Sequence, residues 1–178
     1  MMKRIVALVL CTMMAMTAVA CGGGSGSSSS SSQAPAVPTL KEGVTLSSMI
    51  DSLSQEYEIT MPAALDDQIM KDMMNIDPAD VEEYAGYMSM VMTSADNLIG
   101  VKAKEGKLDT VKAGLESRLE FVRKSFEQYL PSEKEKSGAG KVFTVGDYAF
   151  LVIAGRMDKD PATEIAEIEE KIMENFNK

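Results

Sequence analysis

The sequence predicts an α+β domain: a four-stranded antiparallel sheet built from two β-hairpins, with helices packed on one face, in the order ααββαββα. Three observations carry that prediction. Apolar residues recur at helical spacing in four segments of the chain. From Val81 onward the period changes to two, and two alternating runs meet around Thr93-Ser94-Ala95-Asp96. Gly146-Asp147, a hairpin turn pair, separates two further short apolar runs.

The elements follow in chain order. Val44, Leu46, Met49, Ile50, Leu53 and Tyr57 mark a first helix, and Leu65, Ile69, Met70 and Met73 a second. Pro62 separates them, with Ile59-Thr60-Met61 as a short extended link. In the first hairpin, Tyr84, Gly86, Met88, Met90 and Met92 share one side of an extended chain, and Ala85, Tyr87, Ser89, Val91 and Thr93 the other. Its return strand alternates Asn97, Ile99, Val101 and Ala103 with Leu98, Gly100, Lys102 and Lys104. Leu108, Val111, Leu115, Leu119, Val122, Phe126 and Tyr129/Leu130 then stripe a long helix that Pro131 ends. Ser132 to Gly140 reads as a charged, Gly-containing loop. Lys141 to Val145 and Tyr148 to Ala154 form the second hairpin. Asp160-Pro161 supplies an N-cap and a first-turn proline to a last helix with Ile165, Ile168, Ile172 and Phe176 on one face.

The residues before this domain read as an address. Lys3 and Arg4 precede an apolar run from Ile5 to Ala20, short for a membrane span, and Ala18-Val19-Ala20 leads into Cys21. Residues 1–20 are therefore expected to be a signal peptide. The small residues before Cys21 resemble a bacterial lipobox, with Ala18 where Leu is commoner, so Cys21 is the expected site of lipid attachment. Residues 21–39 continue as a Gly/Ser stretch followed by Pro35 and Pro38, a flexible tether with a root-mean-square span of roughly 25 Å. Residues 40–178 are left as a single globular domain.

Composition then removes whole classes of chemistry. The 178 residues carry 18 Lys plus Arg against 27 Asp plus Glu, no His, no Trp and two Cys. Without His there is no Ser-His-Asp or Cys-His catalysis and no histidine zinc site. The net charge of −9 disfavours nucleic acid, whose phosphates need a basic face. Loss of the signal would take Cys11, Lys3 and Arg4 with it, leaving a charge of −11 and one lipidated Cys. An anionic membrane surface would repel such a chain, so attachment would come from the lipid alone.

Ile76-Asp77-Pro78-Ala79-Asp80-Val81-Glu82-Glu83-Tyr84, Met88 to Ala95 and Ile99-Gly100-Val101-Lys102-Ala103-Lys104 resemble domain of unknown function 4358, a lipoprotein family of Clostridia-like bacteria. Gly106, Val111, Leu115, Arg118, Phe126 and Tyr129-Leu130-Pro131 are similar to the same pattern. The likeness runs from about Leu46 to Phe176 and is densest between Asp77 and Pro131. It implies an extracytoplasmic, lipid-anchored protein and brings no activity, ligand or catalytic residue.

Candidate chemistry is sparse. Asp77, Asp80, Glu82 and Glu83 offer oxygen ligands but lack the spacing that wraps a chain around Ca²⁺, so a turn capped by Asp77 or Asp80 is expected there. Asp158, Asp160, Glu164 and Glu169 imitate part of a calcium loop, with Pro161 and Thr163 in the way. Ser137-Gly138-Ala139-Gly140-Lys141 looks like the end of a phosphate-binding loop, but Val142 stands where Ser/Thr would hold Mg²⁺. The ten methionines outside the signal leave three readings for Met88, Met90 and Met92: a Met-rich core face, an adaptable groove for peptides or lipids, or a Cu(I) site. The core reading is preferred, with at least two of the three buried, because exposed methionine is open to oxidation.

The expected function is that of a membrane-anchored extracytoplasmic lipoprotein acting as a non-enzymatic binding or interaction module. Its expected partners are the membrane, through the N-terminal lipid, and an envelope protein or peptide. No catalytic, cofactor-binding or metal residue is assigned. The alternative is a cell-envelope enzyme or copper-handling protein that uses carboxylates or Met. An exposed apolar concavity beside the Met88–Met92 strand would favour binding; converging buried carboxylates would favour an enzyme.

Overall fold

The computed structural model describes residues 37–156 and 158–177. The expected signal peptide, Cys21 and tether residues 22–36 lie outside the described residues.

The chain runs α1 (Leu46–Glu56), β1 (Pro62–Ala64), α2 (Asp67–Met74), β2 (Val81–Ser89), β3 (Asn97–Ala103), α3 (Leu108–Phe126), α4 (Pro131–Ala139), β4 (Lys141–Val145), β5 (Tyr148–Ile153) and α5 (Pro161–Glu174), with a single 3₁₀ turn at Pro78–Asp80. The mixed helix-and-strand class holds, and so do both hairpins. The sheet has five strands rather than four, in the order β1-β2-β3-β5-β4, every pairing antiparallel. The extra strand, β1, was missed because three residues are too few to show a period. It begins at Pro62, which cannot donate to a ladder and sits here on an edge strand.

Local chemistry explains the elements. Thr45 and Ser48 form a reciprocal capping box that starts α1. Asp66 accepts from the Ile69 amide at the head of α2. Asp77 accepts from the Ala79 amide, so the acidic segment before β2 is the capped turn that its residues predicted. Gly146 takes φ +56° as the first of the two turn residues between β4 and β5, the conformation a II′ hairpin requires. Asp160 accepts from both the amide and the hydroxyl of Thr163, with Pro161 opening α5.

Helices cover both faces of the sheet, not one. Ile99, Val101, Ala149, Leu151 and Ile153 pack with α2 and α3, whereas Leu98, Tyr148, Phe150 and Val152 pack with α1 and α5. β5 is buried on each side along its whole length, as its unbroken apolar run Tyr148–Ile153 allows. β2 obeys the same alternation: the Tyr84 hydroxyl donates to Asp67 of α2 and the Tyr87 hydroxyl to Asp51 of α1. Gly100 lets α1 approach, since a Cβ there would lie 2.8 Å from Leu46 Cδ1 and from Phe150 Cε1. The ends of the described chain close on each other, with Leu40 bridged to Phe176.

The segment expected to be a loop after Pro131 is α4. Pro131 occupies its first turn, and its buried residues are Glu133, Lys136 and Ser137. A helix that buries charge has no apolar stripe to read. It packs against α3 and α5 near the end of the sheet where β3 begins.

Candidate functional site

β2 ends at Ser89, and the chain reaches β3 through residues 90–96. Met90 and Met92 are therefore not strand residues on a shared face. Met88 is fully buried under α2 and α3, while Met90 and Met92 are 59 % and 87 % exposed. The expectation that two of the three would be core is overturned. The alternation counted from Tyr84 stops where the ladder stops, and the connection turns both side chains outward.

A buried ionic group fixes this connection. Lys136 Nζ of α4 lies 2.7 Å from Asp96 Oδ1 and 3.2 Å from Glu133 Oε2. Each carboxylate also accepts from backbone: Glu133 Oε2 accepts from the Ala95 amide at 2.7 Å, and Asp96 Oδ2 from the Thr60 amide at 3.0 Å. Two buried carboxylates thus converge, but on a lysine and two amides that occupy them. Their effect is to staple the 90–96 connection to α4 and to the chain before β1.

Beside this staple, a cleft of about 280 Å³ opens between the connection and α3. α3 lines it with Arg118, Phe121, Val122, Ser125 and Phe126, a stripe spaced i, i+3, i+4, i+7, i+8. Met73 of α2, Tyr129, Ser89, Ser94 and Asn97 complete the wall. Of the seven large apolar side chains exposed among the described residues, four stand at this cleft: Met90, Met92, Phe121 at 60 % and Tyr129 at 54 %. Clustering of that kind sets this patch apart from singly scattered exposed side chains.

Arg118 gives the cleft a charge. It is 6 % exposed, and its Nε donates to Asn97 Oδ1 at 3.0 Å while its guanidinium lies 5.5 Å from the Phe121 ring centroid. Burial pulls its pKa below the ordinary arginine value. The other two described arginines are engaged: Arg156 pairs with Glu164, and Arg123 donates to the carbonyls of Ser137, Gly138 and Gly140. Arg118 has no carboxylate partner among the described residues. Among the described residues its two Nη groups have no hydrogen-bond partner, and Arg118 lines the cleft.

Sequence reading missed Arg118 as a site residue because a lone arginine in a helical stripe resembles a solvated surface position. Its place among Leu115, Leu119 and Val122, on the apolar side of α3, was the available signal. Elsewhere, Asp160 and Glu164 are respectively a helix cap and the partner of Arg156. Lys141, the supposed end of a phosphate loop, opens β4 and pairs with Glu169 at 2.5 Å. No group of three or more carboxylates or cysteines is placed to hold a metal among the described residues.

No curated protein and no solved structure matches the chain. The model of the family described as "Domain of unknown function (DUF4358)" matches residues 55–154, from the end of α1 to the residue after β5. That span is more than half of the chain and contains the whole cleft, and the chain belongs to this family.

Proposed function

We propose that the protein is a membrane-anchored extracytoplasmic lipoprotein whose folded part is a binding module, and that the cleft between α3 and residues 90–96 is its site. The observation that carries the binding reading is the gathering of Met90, Met92, Phe121 and Tyr129 around one concavity. Methionine suits such a rim, because an unbranched thioether adapts to differently shaped partners. The staple through Lys136 supports the same reading, since it holds one wall of the cleft in place before any ligand arrives. Anchoring rests on Lys3, Arg4, the apolar run to Ala20 and Cys21.

Two measurements test the two halves. Cells expressing the full chain are fractionated with and without Cys21→Ser; the unaltered chain is expected in the membrane fraction with acyl chains attached, and the variant without them. Equal lipid modification of both would overturn the anchor. The cleft is tested with the neutral apolar dye Nile red, comparing the full chain with Phe121→Glu. The difference between the two reports the cleft, and equal fluorescence enhancement would refute it as an apolar site.

A further inference from the structure

The lining of the cleft is mixed in a particular way. One buried guanidinium with open N–H groups sits among apolar side chains, in a chain whose net charge is −9. A buried cation without a counter-charge is costly to maintain, and a carboxylate presented by a ligand would accept a two-pronged hydrogen bond from it. The acidic charge of the rest of the chain works against polyanions and anionic lipid surfaces, and a single carboxylate is the anion it tolerates best. Ser89 and Ser94 on the wall accept from the Val91 and Asp96 amides and keep their own O–H groups available to donate. An alkyl acid would press methylenes against those two hydroxyls and offer them no acceptor, whereas the carbonyls of a peptide main chain can accept from them. The volume, about 280 Å³, suits one or two side chains rather than a whole lipid.

Building on the binding reading above, we infer that the cleft captures a polypeptide C-terminus, with its terminal carboxylate on Arg118 and an apolar last side chain against Val122 and Phe126. Recognition of a chain end in this manner needs one fixed cation for the carboxylate and a pocket for the side chain beside it. Met90 and Met92 would close over the residues that precede the end.

The test uses the full chain and N-terminally labelled hexapeptide mixtures ending in Leu, Met or Phe, each made as the free acid and as the C-terminal amide. Fluorescence anisotropy is expected to show the acids binding at least about tenfold tighter than the amides, the worth of a charge-assisted pair. Arg118→Gln should erase that difference. Met92→Glu, on an exposed position that leaves folding intact, should weaken the acids more than the amides. If Arg118→Gln does not fold, the acid–amide ratio of the unaltered chain and the Met92→Glu result decide the matter. Equal binding of acids and amides would overturn the carboxylate seat and leave the binding module standing. Displacement of Nile red by decanoate, with neither peptide mixture binding, would assign the cleft to an alkyl acid and overturn the peptide inference. Failure of peptides, decanoate and Nile red together would remove both this inference and the reading on which it rests.

Discussion

Met88 and Met92 lie four residues apart in opposite surroundings, one enclosed beneath α2 and α3 and one projecting into solvent. Truncation of Met88 to Ala should cost about 2–5 kcal/mol, the range for a large buried apolar side chain. Met90→Ala and Met92→Ala should each stay within about 0.5 kcal/mol, as exposed positions do. Urea unfolding of the three variants checks this, and a large loss at Met92 would contradict the described connection. Gly114 offers a second residue-scale test, because a Cβ there would lie 2.4 Å from Ile76 Cγ1 and 2.7 Å from the Met74 carbonyl oxygen. Gly→Ala within a helix normally stabilises by about 1 kcal/mol. Here the clash should reverse the sign and cost about 1–3 kcal/mol, read as a lower unfolding midpoint. Neither residue could be placed from its neighbours in sequence. Alternation continues on paper through Met92, and a glycine in a helical pattern does not say what stands against it.

α4 is the element that sequence periodicity could not see. Its inner face is Glu133, Lys136 and Ser137, and hydrophobic spacing is blind to a helix anchored by an ion pair. The consequence can be measured. Lys136→Met strands Asp96 and Glu133 as buried charges and should cost about 3–5 kcal/mol at neutral pH. The same change in an Asp96→Asn, Glu133→Gln background should cost much less, since no uncompensated charge remains. Equal losses in both backgrounds would mean that the lysine acts through packing alone. Pro131, Ser132 and Glu133 did carry a helix-start signal, proline in the first turn with acid behind it. The glycines at Gly138 and Gly140 and the absence of an apolar stripe outweighed it. β1 escaped for a different reason: three residues on an edge give neither length nor alternation.

At the scale of the whole molecule, α5 is tied to the end of β5 by Arg156 and Glu164. Arg156 donates through Nε to Glu164 Oε2 at 2.9 Å and through Nη2 to Oε1 at 2.6 Å. The Arg156 side-chain hydrogen bonds hold the Glu164 carboxyl below its usual pKa, against the opposing effect of burial. A carboxyl with a depressed folded pKa stabilises the fold above its unfolded value of about 4.3, and that stability is lost as pH falls through the lower folded value. Glu164→Gln should therefore lower the urea midpoint at pH 7, with the gap to the unaltered chain closing below about pH 4. A gap independent of pH would show that the ion pair is not its source. Long helices, the two hairpins and the histidine-free acidic chemistry were determined by the sequence by itself. Apolar spacing, the positive φ of Gly146 and side-chain ionisation are properties of residues near one another in the chain. Two-sided cover of the sheet, the outward turn of Met90 and Met92, the lysine staple and the opening of Arg118 into a cleft were decided only by the tertiary structure. Each depends on a partner distant in sequence: Asp96 and Lys136 are 40 residues apart, and Asn97 and Arg118 are 21. Burial, which sets the worth of both contacts, exists only once those segments have met.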